Sequence, residues 1–206
     1  MAYRVLIVED QEMPRQLFEI FVGADEQFER VASISNAALA IDFCRHGDID
    51  LILMDVLTGL GSNGLDAAEA IKKEFPQIKI IVVTSMPEAS WLARAKAIGV
   101  DSFWYKEAQR EPILEVMRRS MEGEHIFPDE TPLVPFGFSS NHELSERELD
   151  VLRELISGDS NGEIGERLGI SASTVKWHVQ NMLEKTGMHT RTELAAAARS
   201  LGIVIR

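Results

Sequence analysis

The sequence predicts an α/β domain, a doubly wound five-stranded parallel sheet, followed by a small all-α domain. Three observations carry this. Residues 1–121 alternate short apolar runs with helical patterns five times. Two of those runs, LILM at 51–54 and IIVV at 80–83, are apolar on both faces, as a central parallel strand covered by helices requires. After residue 142 the pattern is helical throughout.

Taken in order, the expected strands are residues 3–8 (YRVLIV), 31–35, 51–54, 80–83 and 102–105. The expected helices between them are 13–22, 37–45, 65–75, 90–98 and 112–121. The stretch 122–142 holds Pro128, Pro132, Pro135 and Gly137 without a clear period and reads as a linker. Helical patterns then cover 146–156, 161–168, 172–185 and 192–201, with breaks at Gly158, Gly169–Ser171 and Gly187. The domains expected are therefore 1–121 and 143–206, joined by 122–142.

Composition bounds the function. The chain is 45% hydrophobic and 26% charged, the balance of a soluble globular protein. The N-terminus has no basic, apolar, cleavable segment and no apolar run is long enough to span a bilayer, so a cytoplasmic protein is expected. The single cysteine, Cys44, has no partner for an internal disulfide and sits in an apolar helical pattern as a small core residue. The net charge of −12 argues against nucleic acid until its distribution is read. Residues 1–121 hold 19 acids and 13 bases, 122–142 four acids and no bases, and 143–206 ten acids and eight bases. The last third is nearly balanced, so any DNA binding there depends on local placement of charge.

Five side chains of a particular kind fall at strand ends. Glu9 and Asp10 end the first strand, Asp55 follows the third, Thr84 the fourth and Lys106 the fifth. Parallel strands carry all five to one edge of the sheet, where such folds place their ligands. Three crowded carboxylates repel one another unless a hard dication such as Mg²⁺ joins them. A carboxylate beside that ion is a nucleophile toward phosphorus, and a lysine offsets the charge of the transferred group. One acid at a strand end is usually a solvated loop residue; five residues of matching type, each ending its own strand, are not.

These residues resemble the receiver domain of two-component response regulators. The likeness is carried by VLIVEDQ (5–11), LILMDV (51–56), IIVVTS (80–85) and FWYK (103–106). It implies a flavodoxin-like fold with Asp55 as phosphoacceptor. Metal ligands would come from Glu9, Asp10, Asp55 and the backbone of Leu57. Thr84, Phe103 and Lys106 would serve as switch and phosphoryl-binding residues, Phe103 turning inward on activation. The loop after Asp55 departs from the family: VLTGLGSNG lacks its Met-Pro turn and reaches Gly64 one residue late. Trp91 and Trp104 lie near this face, either as packing or as part of a partner-binding surface. A phosphatase working through an aspartyl-phosphate is a rival reading, but Leu57 stands where such an enzyme needs a second acid. A receiver-like fold that mediates only protein contacts is another.

Residues 161–185 read as a helix-turn-helix with Gly169 in the turn and Ser171 as N-cap of the second helix. On that helix Val175, Val179, Met182 and Leu183 share one stripe, expected in the core. Ser173, Trp177, Gln180, Asn181 and Glu184 fall opposite, with Lys176 and His178 on the flanks. Amides suit adenine edges, and lysine suits phosphate or guanine. Trp177 is unusual on such a face and would otherwise pack against the first domain.

The stretch 144–198 resembles the LuxR-type DNA-binding domain, and the whole chain resembles a NarL/FixJ-type regulator. That resemblance implies DNA contacts from Ser173, Thr174, Lys176, Trp177, His178, Gln180, Asn181 and Lys185. It implies a dimer contact through Thr192, Leu194, Ala195 and Ala198, and Thr186 departs from the leucine usual in the family. The implied partners are a sensor histidine kinase, double-stranded DNA and, on activation, a second copy of the chain; no membrane is expected. The implied activity is control of transcription, not catalysis.

Overall fold

The computed structural model describes residues 2–59, 62–106 and 112–204. The chain forms two compact units, Met1–Ser85 with Ser90–Asp129 and Met86–Ala89 with Glu130–Arg206.

In the first unit β1 (Tyr3–Val8), β2 (Phe28–Ile34), β3 (Leu51–Asp55), β6 (Lys79–Thr84) and β7 (Ser102–Tyr105) form one sheet in the order β2-β1-β3-β6-β7, every pair parallel. The order reverses between β1 and β3, so the crevice beyond their carboxyl ends is the natural ligand position. β3 is buried along its whole length, which is why its sequence is continuously apolar until Asp55. The crossovers carry α1 (Glu12–Gly23), α2 (Ala40–His46), α3 (Gly64–Glu74) and α4 (Ala89–Ile98), and α5 (Ile113–Met121) follows the last strand. On one face Val5, Ile7, Leu53, Ile81 and Val83 pack with Phe18 and Val22 of α1 and with Val116 and Met117 of α5. Cys44 is buried, and burial pushes its thiol up to about 11.

Several local features differ from the sequence expectation, and β2, expected over 31–35, begins three residues earlier at Phe28. The helix expected over 37–45 opens as a 3-10 turn, Ala37–Leu39, before α2. Its first turn is tied by side chains, since Asn36 accepts from Ala38 N–H and Thr58 Oγ1 from Ala37 N–H. The loop after Asp55 folds into a hairpin, β4 (Leu57–Thr58) against β5 (Ser62–Asn63).

The stretch expected as a linker is divided between the units. Ile126 forms a parallel bridge with Ser102 and accepts from Phe103 N–H at 2.9 Å, adding a short edge to the sheet. Farther along, β8 (Pro135–Phe136) pairs with β9 (Ser139–Ser140), and Phe136 is buried in the second core. Two-residue pairings leave no period for a sequence pattern to show.

The rest of the second unit is α6 (Glu146–Leu155), α7 (Asn161–Leu168), α8 (Ala172–Thr186) and α9 (Arg191–Ser200). Capping boxes, Ser145 with Glu148 and Ser160 with Glu163, begin α6 and α7, and Ser171 and Thr190 cap α8 and α9. Gly169 ends α7 at φ +65°, a left-handed turn that costs glycine little. Leu152, Ile164, Val175, Met182 and Leu194 close the core.

Candidate functional site

Each of the five strand-end residues arrives where its strand stops. Glu9 is fully buried, and its carboxylate accepts from Gln11 N–H at 3.1 Å and from Lys106 Nζ at 2.5 Å. Asp55 is 4% exposed; Oδ1 accepts from Val56 N–H at 2.8 Å, and Oδ2 lies 3.2 Å from Lys106 Nζ. Asp10 is exposed at the mouth. Carboxylate oxygens of Glu9, Asp10 and Asp55 come within 4.8 Å of one another. Thr84 is buried at the end of β6, and its carbonyl accepts from Lys106 N–H at 2.9 Å, which locks the two strand ends together.

Among the described residues, the Lys106 ammonium pairs with both Glu9 and Asp55, while Asp10 adds a third carboxylate at the mouth. Burial pushes the Asp55 carboxyl up to about 7; Lys106 pulls it down, and the negative charge of Glu9 adds to the rise. This donor set, all oxygen and carrying excess negative charge, fits a hard divalent cation better than a soft one.

Gly64 shows how tightly the pocket is built. Its N–H donates to Val56 O at 2.8 Å, and a Cβ at this position would overlap the carbonyl of Asp55. A glycine is therefore required to start α3 so close to the third strand, even after the longer loop. Leu57, expected to offer a backbone ligand, sits in β4 paired with Asn63. Phe103 was expected to turn inward on activation, yet it is already fully buried, its ring 5.0 Å from that of Tyr105. Trp91 is buried, and Trp104 is half-buried, its ring steeply inclined to that of Phe18 at 6.4 Å between centroids.

Spacing did not mark two neighbours of the pocket. Arg15, one turn into α1, donates to the carbonyl of Glu9 at 3.2 Å. Thr58 is buried and bridges the loop after Asp55 to Ala37.

In the second unit α8 presents Ser173, Lys176, Trp177 and Gln180 to solvent, with Trp177 59% exposed. Thr174 and Asn181 are half-buried. Gln180 Nε2 donates to Glu184 Oε1 at 3.0 Å, one turn along the same face. His178, expected on a flank, is buried beside the core stripe with its ring against Trp177. Lys185 does not project freely: Nζ donates to Glu148 Oε2 at 2.7 Å and to Glu143 O at 3.0 Å. Of the residues expected at a dimer contact, Leu194 and Ala198 are wholly buried in the unit's own core. Thr192 is exposed and Ala195 half-buried. Thr186 is buried and satisfies its hydroxyl on Met182 O at 2.7 Å, so a polar residue is tolerated there.

Among the described residues no helix is long and apolar enough to cross a membrane.

Comparison with known proteins agrees with this geometry. Residues 5–118 match the model of the response regulator receiver domain, and residues 142–198 match that of the bacterial regulatory proteins of the luxR family. The chain is 34% identical over 198 residues to the response regulator protein VraR of Staphylococcus epidermidis, covering 94% of each. It is 33% identical over 196 residues to the nitrate/nitrite response regulator protein NarP of Escherichia coli, covering 92% of this chain and 91% of that one. Its fold is similar to that of RcsB from Salmonella enterica serovar Typhimurium bound to a promoter, with a TM-score of 0.61 at 21% identity over 97% of this chain and 99% of that one. A receiver sheet ending in an acidic pocket and a LuxR-type helix-turn-helix thus stand in one chain, which belongs to the NarL/FixJ-type response regulators of two-component systems, DNA-binding regulators of transcription.

Proposed function

We propose that the chain accepts a phosphoryl group on Asp55 from a sensor histidine kinase and that this controls its binding to double-stranded DNA as a homodimer. The observation that carries the reading is the pairing of a buried Asp55 carboxylate with Lys106 beside two further acids.

Glu9, Asp10, Asp55 and the backbone at Leu57 would hold Mg²⁺, which supplies charge neutralisation at the phosphoryl oxygens. An Asp55 oxygen attacks phosphorus, forming the O–P bond as the N–P bond to the kinase histidine breaks. The departing imidazole nitrogen keeps the electron pair and takes a proton. Lys106, already 3.2 Å from Asp55, pairs with the new negative charge, and the Thr84 hydroxyl donates to a phosphoryl oxygen. Met13, Leu17 and Ile20 are exposed on α1, next to the mouth, and give a protein donor an apolar surface. With Phe103 already buried, the signal runs through Thr84 and Lys106, whose shared backbone bond joins β6 to β7.

On DNA, α8 would lie in the major groove with Lys176, Trp177 and Gln180 toward the bases, and Ser173, Thr174 and Asn181 beside them. His178 and Lys185 would support the helix from within the domain. Residues 143–206 carry a net charge of −2, so one domain binds weakly and two on adjacent half-sites bind well. Thr192 and Ala195 remain for pairing through α9.

The test is exposure of the full chain to acetyl phosphate, and separately to beryllofluoride, with Mg²⁺. Both should load wild type and neither should load Asp55→Asn, with DNA affinity and dimer population rising together. Phosphorylation surviving in Asp55→Asn would misplace the acceptor.

A further inference from the structure

The loop after Asp55 is held by hydroxyl groups. Thr58 is buried, and its Oγ1 accepts from the buried Ala37 N–H at 2.9 Å. The same oxygen lies 2.6 Å from Ser62 Oγ, which in turn donates to Gly59 O at 3.1 Å. Gly59 N–H donates to Ser35 O at 3.0 Å. These bonds draw β4 and β5 against the turn after β2. They also bring the backbone to the acidic pocket, since a Cβ on Gly59 would stand 3.9 Å from Asp10 Cβ.

We propose that Thr58 is a positioning residue for cation binding, its hydroxyl holding the Leu57–Gly59 backbone beside Asp10 before any ion arrives. The inference rests on the reading of Glu9, Asp10 and Asp55 as a cation site. A loop that must order itself around an ion loses affinity to the entropy of ordering, and a loop already tied loses none. A proline would stiffen such a loop by fixing φ. This loop, VLTGLGSN, has no proline and is one residue longer than is usual in receiver domains, and the Thr58 staple takes that role.

Valine keeps the shape of threonine but removes the acceptor, leaving Ala37 N–H buried without its partner. Titration of MgCl₂ into the full chain by calorimetry should show Thr58→Val binding on the order of tenfold more weakly than wild type. Thr58→Ser keeps the hydroxyl and should stay within about twofold. Melting temperatures measured alongside separate affinity from stability. A lowered melting temperature with wild-type Mg²⁺ affinity in Thr58→Val would show that Thr58 only holds the fold and would overturn the proposal. Should that variant not fold, Ser62→Ala removes the second hydroxyl of the staple at a half-exposed position. It should weaken Mg²⁺ about two- to threefold, and unchanged affinity there overturns the proposal equally. Absence of Mg²⁺ binding in wild type would instead overturn the cation-site reading itself, with Asp10→Asn as the matched control.

Discussion

The metal-free pocket should destabilise its own domain, and replacing Asp55 by Asn should relieve it. Asp55 is buried with Glu9 nearby, and Lys106 is the cation shared between them. Its carboxyl is raised from 3.8 to about 7, chiefly by burial. A group that binds its proton more tightly when folded adds stability that is fully present below about pH 4. That stability is lost as pH rises and is gone above about 7. At about 1.36 kcal/mol per pH unit the full span corresponds to about 4 kcal/mol. The attraction of Lys106 is already contained in that value, so a gain of a few kcal/mol, at most about 4, is expected for Asp55→Asn near pH 7.5. The gain should shrink steadily on acidification toward pH 5, because groups elsewhere titrate alike in both proteins. Urea unfolding in EDTA at a series of pH values, followed through Trp91 and Trp104, measures it. Added Mg²⁺ should narrow the gap by binding only the wild-type pocket well. Equal midpoints for the two proteins at pH 7.5 in EDTA, or a difference that grows on acidification, would rule out a burial penalty at Asp55.

Two further outcomes concern lifetime and DNA reading. Leu57 and Met86, two residues beyond Asp55 and Thr84, are apolar and orient no water by hydrogen bonding, so the phosphorylated protein should decay slowly. Leu57→Asn with Met86→Glu should speed release of inorganic phosphate, and fast decay in wild type would count against the argument. On α8, Gln180→Ala should cost roughly 1–3 kcal/mol of DNA affinity at one base position, read by binding to operator variants. Lys176→Ala should also lower the dependence of log affinity on log salt by about one unit. A uniform loss across all sequences in Gln180→Ala would place it on the backbone rather than the bases.

The pocket was legible because strand chemistry and site chemistry coincide. An apolar run such as LILM gives way to a polar residue at the carboxyl end of its strand, and Asp55 is that residue, still buried; Glu9, Thr84 and Lys106 likewise stand at strand ends. The helix boundaries of the second unit were legible for a similar local reason, as Ser145, Ser160 and Ser171 each cap the helix that follows. Residues at the margin of a helical stripe were not. His178 lies one position from Val179, and whether it is covered depends on what packs against α8, not on its place in the period. Lys185 was implied as a DNA contact, but Glu148, 37 positions away, holds it. The family resemblance implied a dimer contact through Leu194 and Ala198, yet they fill this chain's own core. The alternation of strands and helices, the five strand-end residues and the Ser171 cap could be read from local pattern, because each depends on neighbours within a few positions. The hairpin after Asp55, the staple from Thr58 to Ala37 and the burial of Phe103 emerge only in the folded chain. Those depend on which distant backbone comes to lie alongside, a choice made by the packing of the whole domain.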